Sequence, residues 1–288
     1  NVAIGFEALG DVQSGSGANV AIGYYAMRNV DEGTGDGDAD YNIAIGYDAL
    51  KGGDFAGNDR QLKGNVAIGS FALDATAANA QTGTIAIGHQ SLTALTSGWG
   101  NVAVGYESLK ACTIGTKMVA IGDEALNAMV DGTGNIAIGH EALKGANHAD
   151  ADNNIAIGSN TMDGISTNGA ASNIGIGGDA LGAALTSDEN VGIGQTALGA
   201  LTSGAGNVAV GHNAAKTITT GARNSSFGHG AFDASNTGDS DNVAIGYDAM
   251  GGVANGGQND FNVAIGNYAM DAALVNADNN TAVGYNAL

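Results

Sequence analysis

The segment Asn135-Ile-Ala-Ile-Gly-His-Glu-Ala-Leu143 decides the reading, because variants of it recur along all 288 residues. Sixteen copies start at residues 1, 19, 42, 65, 84, 101, 118, 135, 154, 173, 190, 207, 224, 242, 262 and 280. The spacings run from 17 to 23 residues and 17 occurs six times, so 17 is the minimal coil and the longer spacings are loop insertions. Self-similarity at such a period marks stacked supersecondary units that bury their apolar faces only against their neighbours. The chain is expected to be an all-β parallel solenoid or β-roll of sixteen coils, in one continuous array over 1–288.

Each position of the nine-residue consensus follows its own rule. The fifth is Gly in every copy, at Gly5, Gly23, Gly46, Gly69, Gly88, Gly105, Gly122, Gly139 and onward to Gly284. This is expected where the chain turns with positive φ or another backbone comes close. The first is Asn in fourteen copies, among them Asn1, Asn19, Asn42, Asn65, Asn101, Asn135, Asn154, Asn173, Asn190 and Asn207, with Thr84 and Met118 as exceptions. An Asn at the same point of successive coils can stack its amide into an internal ladder. The plainer reading is a repeated, solvent-facing turn residue.

Positions two and four are Val or Ile almost throughout, and position three is Ala in thirteen copies. In a strand, two and four share one face and three takes the other. The Val/Ile face is expected to line the coil interior. The row of small residues would then face outward, where it suits close approach of another chain, and Ala103, Ala120 and Ala137 are its candidate subunit-interface residues. Position nine is Leu, Met or Phe in all copies but that of Ala215, and position twelve is often apolar, as at Leu95, Cys112 and Met129. That i, i+3 spacing favours a single helical or 3₁₀ turn after the Gly, although a bent β-arc would also turn both residues inward. Acidic residues at seven and basic ones at ten, as in Asp48/Lys51 and Glu107/Lys110, read as a solvated rim.

Composition narrows the function classes. The 49 Gly come without a single Pro, which excludes collagen, and charged residues are only 13%. The net charge of −20 opposes binding to nucleic-acid phosphates or anionic lipids. One cysteine, Cys112, excludes an intramolecular disulfide framework, and its place at position twelve reads as a buried thiol rather than a nucleophile. No apolar run approaches the 18 residues or so of a membrane span, so no membrane insertion is expected of this segment. The runs Gly175-Ile-Gly-Gly-Asp-Ala180 and Gly192-Ile-Gly-Gln-Thr-Ala197 match a dinucleotide fingerprint only as products of the repeat. With no nucleophile elbow or carboxylate pair either, an enzyme is not expected.

Two groups of residues invite binding. Asp36, Asp38 and Asp40 alternate in one insertion, and Asp150 and Asp152 form a smaller pair. An EF-hand starting at Asp36 would need Gly and Glu where Tyr41 and Tyr47 stand. An irregular calcium site or a solvated acidic loop remain. At position six, Tyr24, Tyr47 and Tyr106 alternate along the chain with His140, His212 and other histidines. This stripe is either a contact face for a glycan or protein, or simple rim packing.

The repeated Asn-Val-Ala-Ile-Gly-x-x-Ala resembles the head repeats of trimeric autotransporter adhesins and the Ala-Ile-Gly arrays of bacteriophage tail fibres. Position ten is here polar, charged or Gly, which brings the chain nearer the phage-type arrays. The resemblance implies a parallel β-roll, homotrimeric or bundled self-association, and a surface that meets a host receptor or glycan. The expected role is a fibre-forming segment of an extracellular, cell-surface or virion appendage that serves attachment, belonging to a longer fibre with its anchoring parts elsewhere. The alternative is a scaffold for binding loops.

Overall fold

A computed structural model describes residues 1–10, 17–30, 38–52, 61–75, 81–165, 169–234, 238–252, 258–272 and 276–288. The described residues form a parallel β-solenoid of short strands, with no helix among them. They fall into two units, Asn1–Glu141 with Asn147–Ala149, and Ala142–Ala146 with Asp150–Leu288.

In the first unit, strands β1 (Val2–Ile4), β2 (Val20–Ile22), β4 (Ile43–Ile45), β6 (Val66–Ile68), β8 (Ile85–Ile87), β9 (Val102–Val104), β10 (Val119–Ile121) and β11 (Ile136–Ile138) stack in parallel in that order. Strands β3 (Asp38–Asp40), β5 (Gln61–Lys63) and β7 (Gln81–Thr82) form a second, three-stranded sheet from the longer coils. The second unit stacks β12 (Ile155–Ile157), β13 (Ile174–Ile176), β14 (Val191–Ile193), β15 (Val208–Val210), β16 (Ser225–Phe227), β17 (Val243–Ile245), β18 (Val263–Ile265) and β19 (Thr281–Val283) in sequence order. Register is kept position for position. Val119 pairs with Ile136, Ala120 with Ala137 and Ile121 with Ile138, so each column of the sheet is chemically uniform.

The strand faces are the reverse of the sequence expectation. Ala103, Ala120 and Ala137 have no exposure and lie inside the coil, so they are not a subunit interface. The Val and Ile of positions two and four point outward, half-buried or exposed. The reason is the thinness of the coil at this wall. A Cβ added to Gly175 would lie 2.8 Å from Thr161 Cγ2 and 2.9 Å from Met162 Cε, the position-eight and position-nine side chains of the preceding coil. Position three thus faces the buried Ala and Leu of positions eight and nine, and only small residues, Gly, Ala and the single Ser226, fit between them. The core is a column of Ala from three and eight, Leu, Met or Phe from nine, and Val30, Leu95, Cys112, Met129, Ile165, Leu201 and Ile218 from twelve.

The second half of the coil is a run of tight turns rather than a helical turn. Positions seven and nine have left-handed φ, as at Glu107 (52°) and Leu109 (50°). Ala8 N–H donates back to Gly5 O and Cys112 N–H to Leu109 O, which keeps the i, i+3 spacing. Left-handed φ turns alternate N–H groups toward the neighbouring coils: Asp48 N–H donates to Tyr24 O at 3.0 Å on one side, and Leu50 N–H to Ala72 O at 2.9 Å on the other. A helical turn would close its hydrogen bonds within itself and leave the coils unjoined. Left-handed conformation costs on the order of 1–2 kcal/mol for a non-Gly residue, a penalty offset by satisfying a backbone group in each coil.

The position-one asparagines are buried and linked from coil to coil. Asn190 Oδ1 accepts from Asn207 N–H at 2.9 Å and from Asn207 Nδ2 at 3.1 Å, while Asn190 N–H and Nδ2 donate to Asn173 Oδ1 at 2.9 and 3.2 Å. The same pattern joins Asn19, Asn42 and Asn65 in the first unit. In several coils Nδ2 also reaches a carbonyl of the coil's tail, as Asn101 does to Gly115 O at 2.8 Å and Asn207 to Gly221 O at 2.9 Å. Asn190→Ala therefore strips a buried N–H of its acceptor and is expected to cost about 3 kcal/mol in urea unfolding, several times the cost of a surface Asn→Ala. At Thr84 the side-chain hydroxyl is buried with no hydrogen-bond partner. Thr84→Asn restores the amide column there and should raise stability by about 1 kcal/mol in the same measurement.

Candidate functional site: an apolar sheet face and an aromatic rim

Because the small residues fill the inside, the outer sheet face carries two columns of β-branched side chains. Ile43 (37%), Ile121 (38%), Ile245 (39%) and Ile265 (38%) are exposed, and most of the others are half-covered only by their neighbours in the stack. The face is flat, uncharged and continuous over eight strands in each unit, far from the scattered apolar residues of an ordinary surface. Strands β16 and β19 depart from the pattern, with Ser225 and Thr281 at position two and Phe227 at position four. Such a face has no group that could carry acid–base chemistry. What it offers is dehydration against a matching flat surface.

The rim next to this face carries aromatic rings stacked from coil to coil. In the first unit Phe6 stacks on Tyr24 at 5.2 Å, Tyr24 on Tyr47 at 5.3 Å and 2° between planes, and the series runs on through Phe71 and His89 to Tyr106. In the second unit His212 stacks on His229 at 5.0 Å and His229 on Tyr247 at 5.2 Å, followed edge-on by Tyr268 and Tyr285. Parallel coils bring like positions to nearly the strand spacing, a distance at which offset aromatic stacking is favourable. Some contacts are face to face and others edge-on, and Phe6, Tyr24, Tyr47, Tyr106, Tyr247 and Tyr285 keep much of their surface exposed. His140 stands outside the series, with Nε2 4.0 Å from both Asp123 Oδ2 and Glu141 Oε1. Phe6, Tyr25, Phe71 and Tyr268 went unread in the sequence, the last three because they occupy position seven, one residue off the stripe.

Ion pairs line the same rim. Lys51 Nζ lies 3.2 Å from Asp48 Oδ2, Lys110 Nζ 2.9 Å from Glu107 Oε1, and Arg28 Nε 2.6 Å from Glu7 Oε2. The bond from Lys110, its largest influence, holds the Glu107 carboxyl below its ordinary range. Arg28 also lies 4.2 Å above the Tyr25 ring, and Lys117 lies 4.7 Å above the exposed Trp99.

Asp36 lies outside the described residues, as does the side chain of Asp38. Asp40 Oδ1 accepts from Gly17 N–H at 2.7 Å, and Asp150 O accepts from Asp152 N–H at 2.9 Å. Among the described residues no group of three or more His, Cys, Asp or Glu side chains is placed to hold a metal ion. Cys112 is fully buried, and burial pushes its thiol up to about 11, away from nucleophilic use.

No family model matches the chain, and comparison with curated proteins and with solved structures finds no similar protein.

Several rim phenols are raised above their ordinary range, Tyr24 the furthest. The hydrogen bond with Tyr25, followed by burial, pushes the Tyr24 phenol up to about 12 from its ordinary 10. The folded chain then holds that proton more tightly than the unfolded chain, so stability from this group is complete below about pH 10 and falls as pH rises toward 12. An ultraviolet titration of phenolate absorbance should lose its most alkaline component in Tyr24→Phe, and an unchanged curve would contradict the assignment.

Proposed function

We propose that the chain is a structural, fibre-forming repeat segment of an extracellular, cell-surface or virion appendage, which associates with copies of itself and serves attachment. The observation that carries this reading is the outward Val/Ile face. Positions two and four of the eight strands in each unit, Val or Ile at all but Ser225, Phe227 and Thr281, form an apolar face long enough to approach the roughly 800 Å² that each partner contributes to a stable protein interface. A face of this size left in water would be an aggregation hazard, whereas a face covered by a second copy is a stable interface. Charge supports the same reading. The net charge of −20 keeps other surfaces apart and leaves the uncharged face as the place where identical chains can meet. The likeness of the motif to adhesin-head and tail-fibre repeats agrees with it.

A second reading, a scaffold that binds a glycan or protein, is favoured by the exposed aromatic rim. It ranks lower because the rings are already engaged with one another along the rim.

Charge introduced into the face separates the two. Val208→Lys combined with Val243→Lys should shift the sedimenting species to the 28.2 kDa monomer while circular dichroism keeps the β-signal. An assembly unmoved by these substitutions, or a wild-type chain that is monomeric throughout, would overturn the self-association reading.

A further inference from the structure

Strand β16 carries two departures on the same outer face, and their sizes are opposite. Ser225 pairs in register with Val208 on one side and Val243 on the other, so a short hydroxymethyl group sits in a column of β-branched residues and leaves a notch. Phe227 pairs with Val210 and Ile245, and its ring stands out of its column with 41% of its surface exposed. Notch and knob lie on one strand, two residues apart. No other copy of the repeat has either residue at these positions.

Building on the self-association reading, we propose that copies of the chain pack parallel and in register, with Phe227 of one copy seated in the notch over Ser225 of the next. Copies related by a two-fold axis along the stacking direction meet level by level, and position four of one chain faces position two of its neighbour. Phe227 then meets Ser225, and the surplus volume of one fills the deficit of the other. An axis along the strands reverses the stack and sets position two on two and four on four. With that axis at β16, Phe227 would collide with Phe227 and leave two empty notches; with it elsewhere, each Phe would press on a full-sized Val or Ile. Overpacking and cavities both destabilise an interface by kcal-scale amounts, so size complementarity selects the parallel, level arrangement. A slip by one coil moves Phe227 onto Val208 or Val243, which makes this single strand a register key on an otherwise uniform face.

Cysteine pairs test this directly. Ser225→Cys and Phe227→Cys chains are prepared separately, mixed under exchange, and oxidised; the buried Cys112 thiol does not compete. The 225–227 cross-link between copies should exceed the 208–227 and 243–227 cross-links, made with Val208→Cys and Val243→Cys, by about fivefold, since a disulfide spans only a short Cβ separation and one strand shifts the pair by about 4.8 Å. Circular dichroism of each single variant checks that the coils are intact. Dominant 225–225 or 227–227 linkage, or a dominant 208–227 or 243–227 pair, would overturn the proposed register while leaving self-association standing. A wild-type chain that sediments as a monomer would instead remove the self-association on which the register depends.

Discussion

At position five each coil lies too close to the next to admit a side chain, and the rest of the structure follows from that approach. Each glycine there has φ between 126° at Gly177 and 143° at Gly211, and a Cβ built on Gly23, Gly69 or Gly105 would overlap the carbonyl group of the corresponding glycine in the next coil. An L-residue is excluded twice, by its conformation and by its volume. The glycine column sets the spacing and fixes the angle at which the chain leaves the strand. Positions eight and nine are thereby folded back under position three. Only small residues, Gly, Ala or the single Ser226, fit between the two layers, so the larger β-branched side chains are left on the outside.

The polar parts of the coil serve the same stack. Asn at position one and the left-handed residues at seven and nine all direct hydrogen bonds between coils, at 2.9 Å from Asn42 N–H to Asn19 Oδ1 and 3.0 Å from Tyr25 N–H to Phe6 O. These bonds lie in buried or half-buried surroundings, where an unpaired group is costly, so the ladder is specified as strongly by the penalty for breaking it as by the gain from making it. Neighbouring coils consequently support one another, and loss of one Asn is felt in the coils on both sides of it.

Much of this was legible in the residues. The invariant Gly and the near-invariant Asn indicated a corner and a stack, and the period indicated a parallel solenoid. The facing of the strand was misread because burial is ordinarily assigned to the larger apolar residue, whereas here the available depth decides. A signal did exist: Gly175 replaces Ala in the coil after the one where Thr161 replaces the usual Ala at position eight, which is the mark of two positions sharing one space. The turns were misread for a different reason. Leu109 and Met162 carry no preference for left-handed φ, and an i, i+3 apolar spacing is also that of a helical turn. Of the rim, position six was readable, whereas Phe71 and Tyr268 were not, since only the turn geometry brings position seven into the same stack.

The functional account rests on the outward face being covered by another copy. Sedimentation equilibrium of the unaltered chain over a wide range of concentration and salt tests it most directly. The account predicts a discrete multiple of 28.2 kDa that persists in high salt, because the contact is apolar and salt screens only the acidic surfaces around it. A mass of 28.2 kDa at every concentration would contradict it.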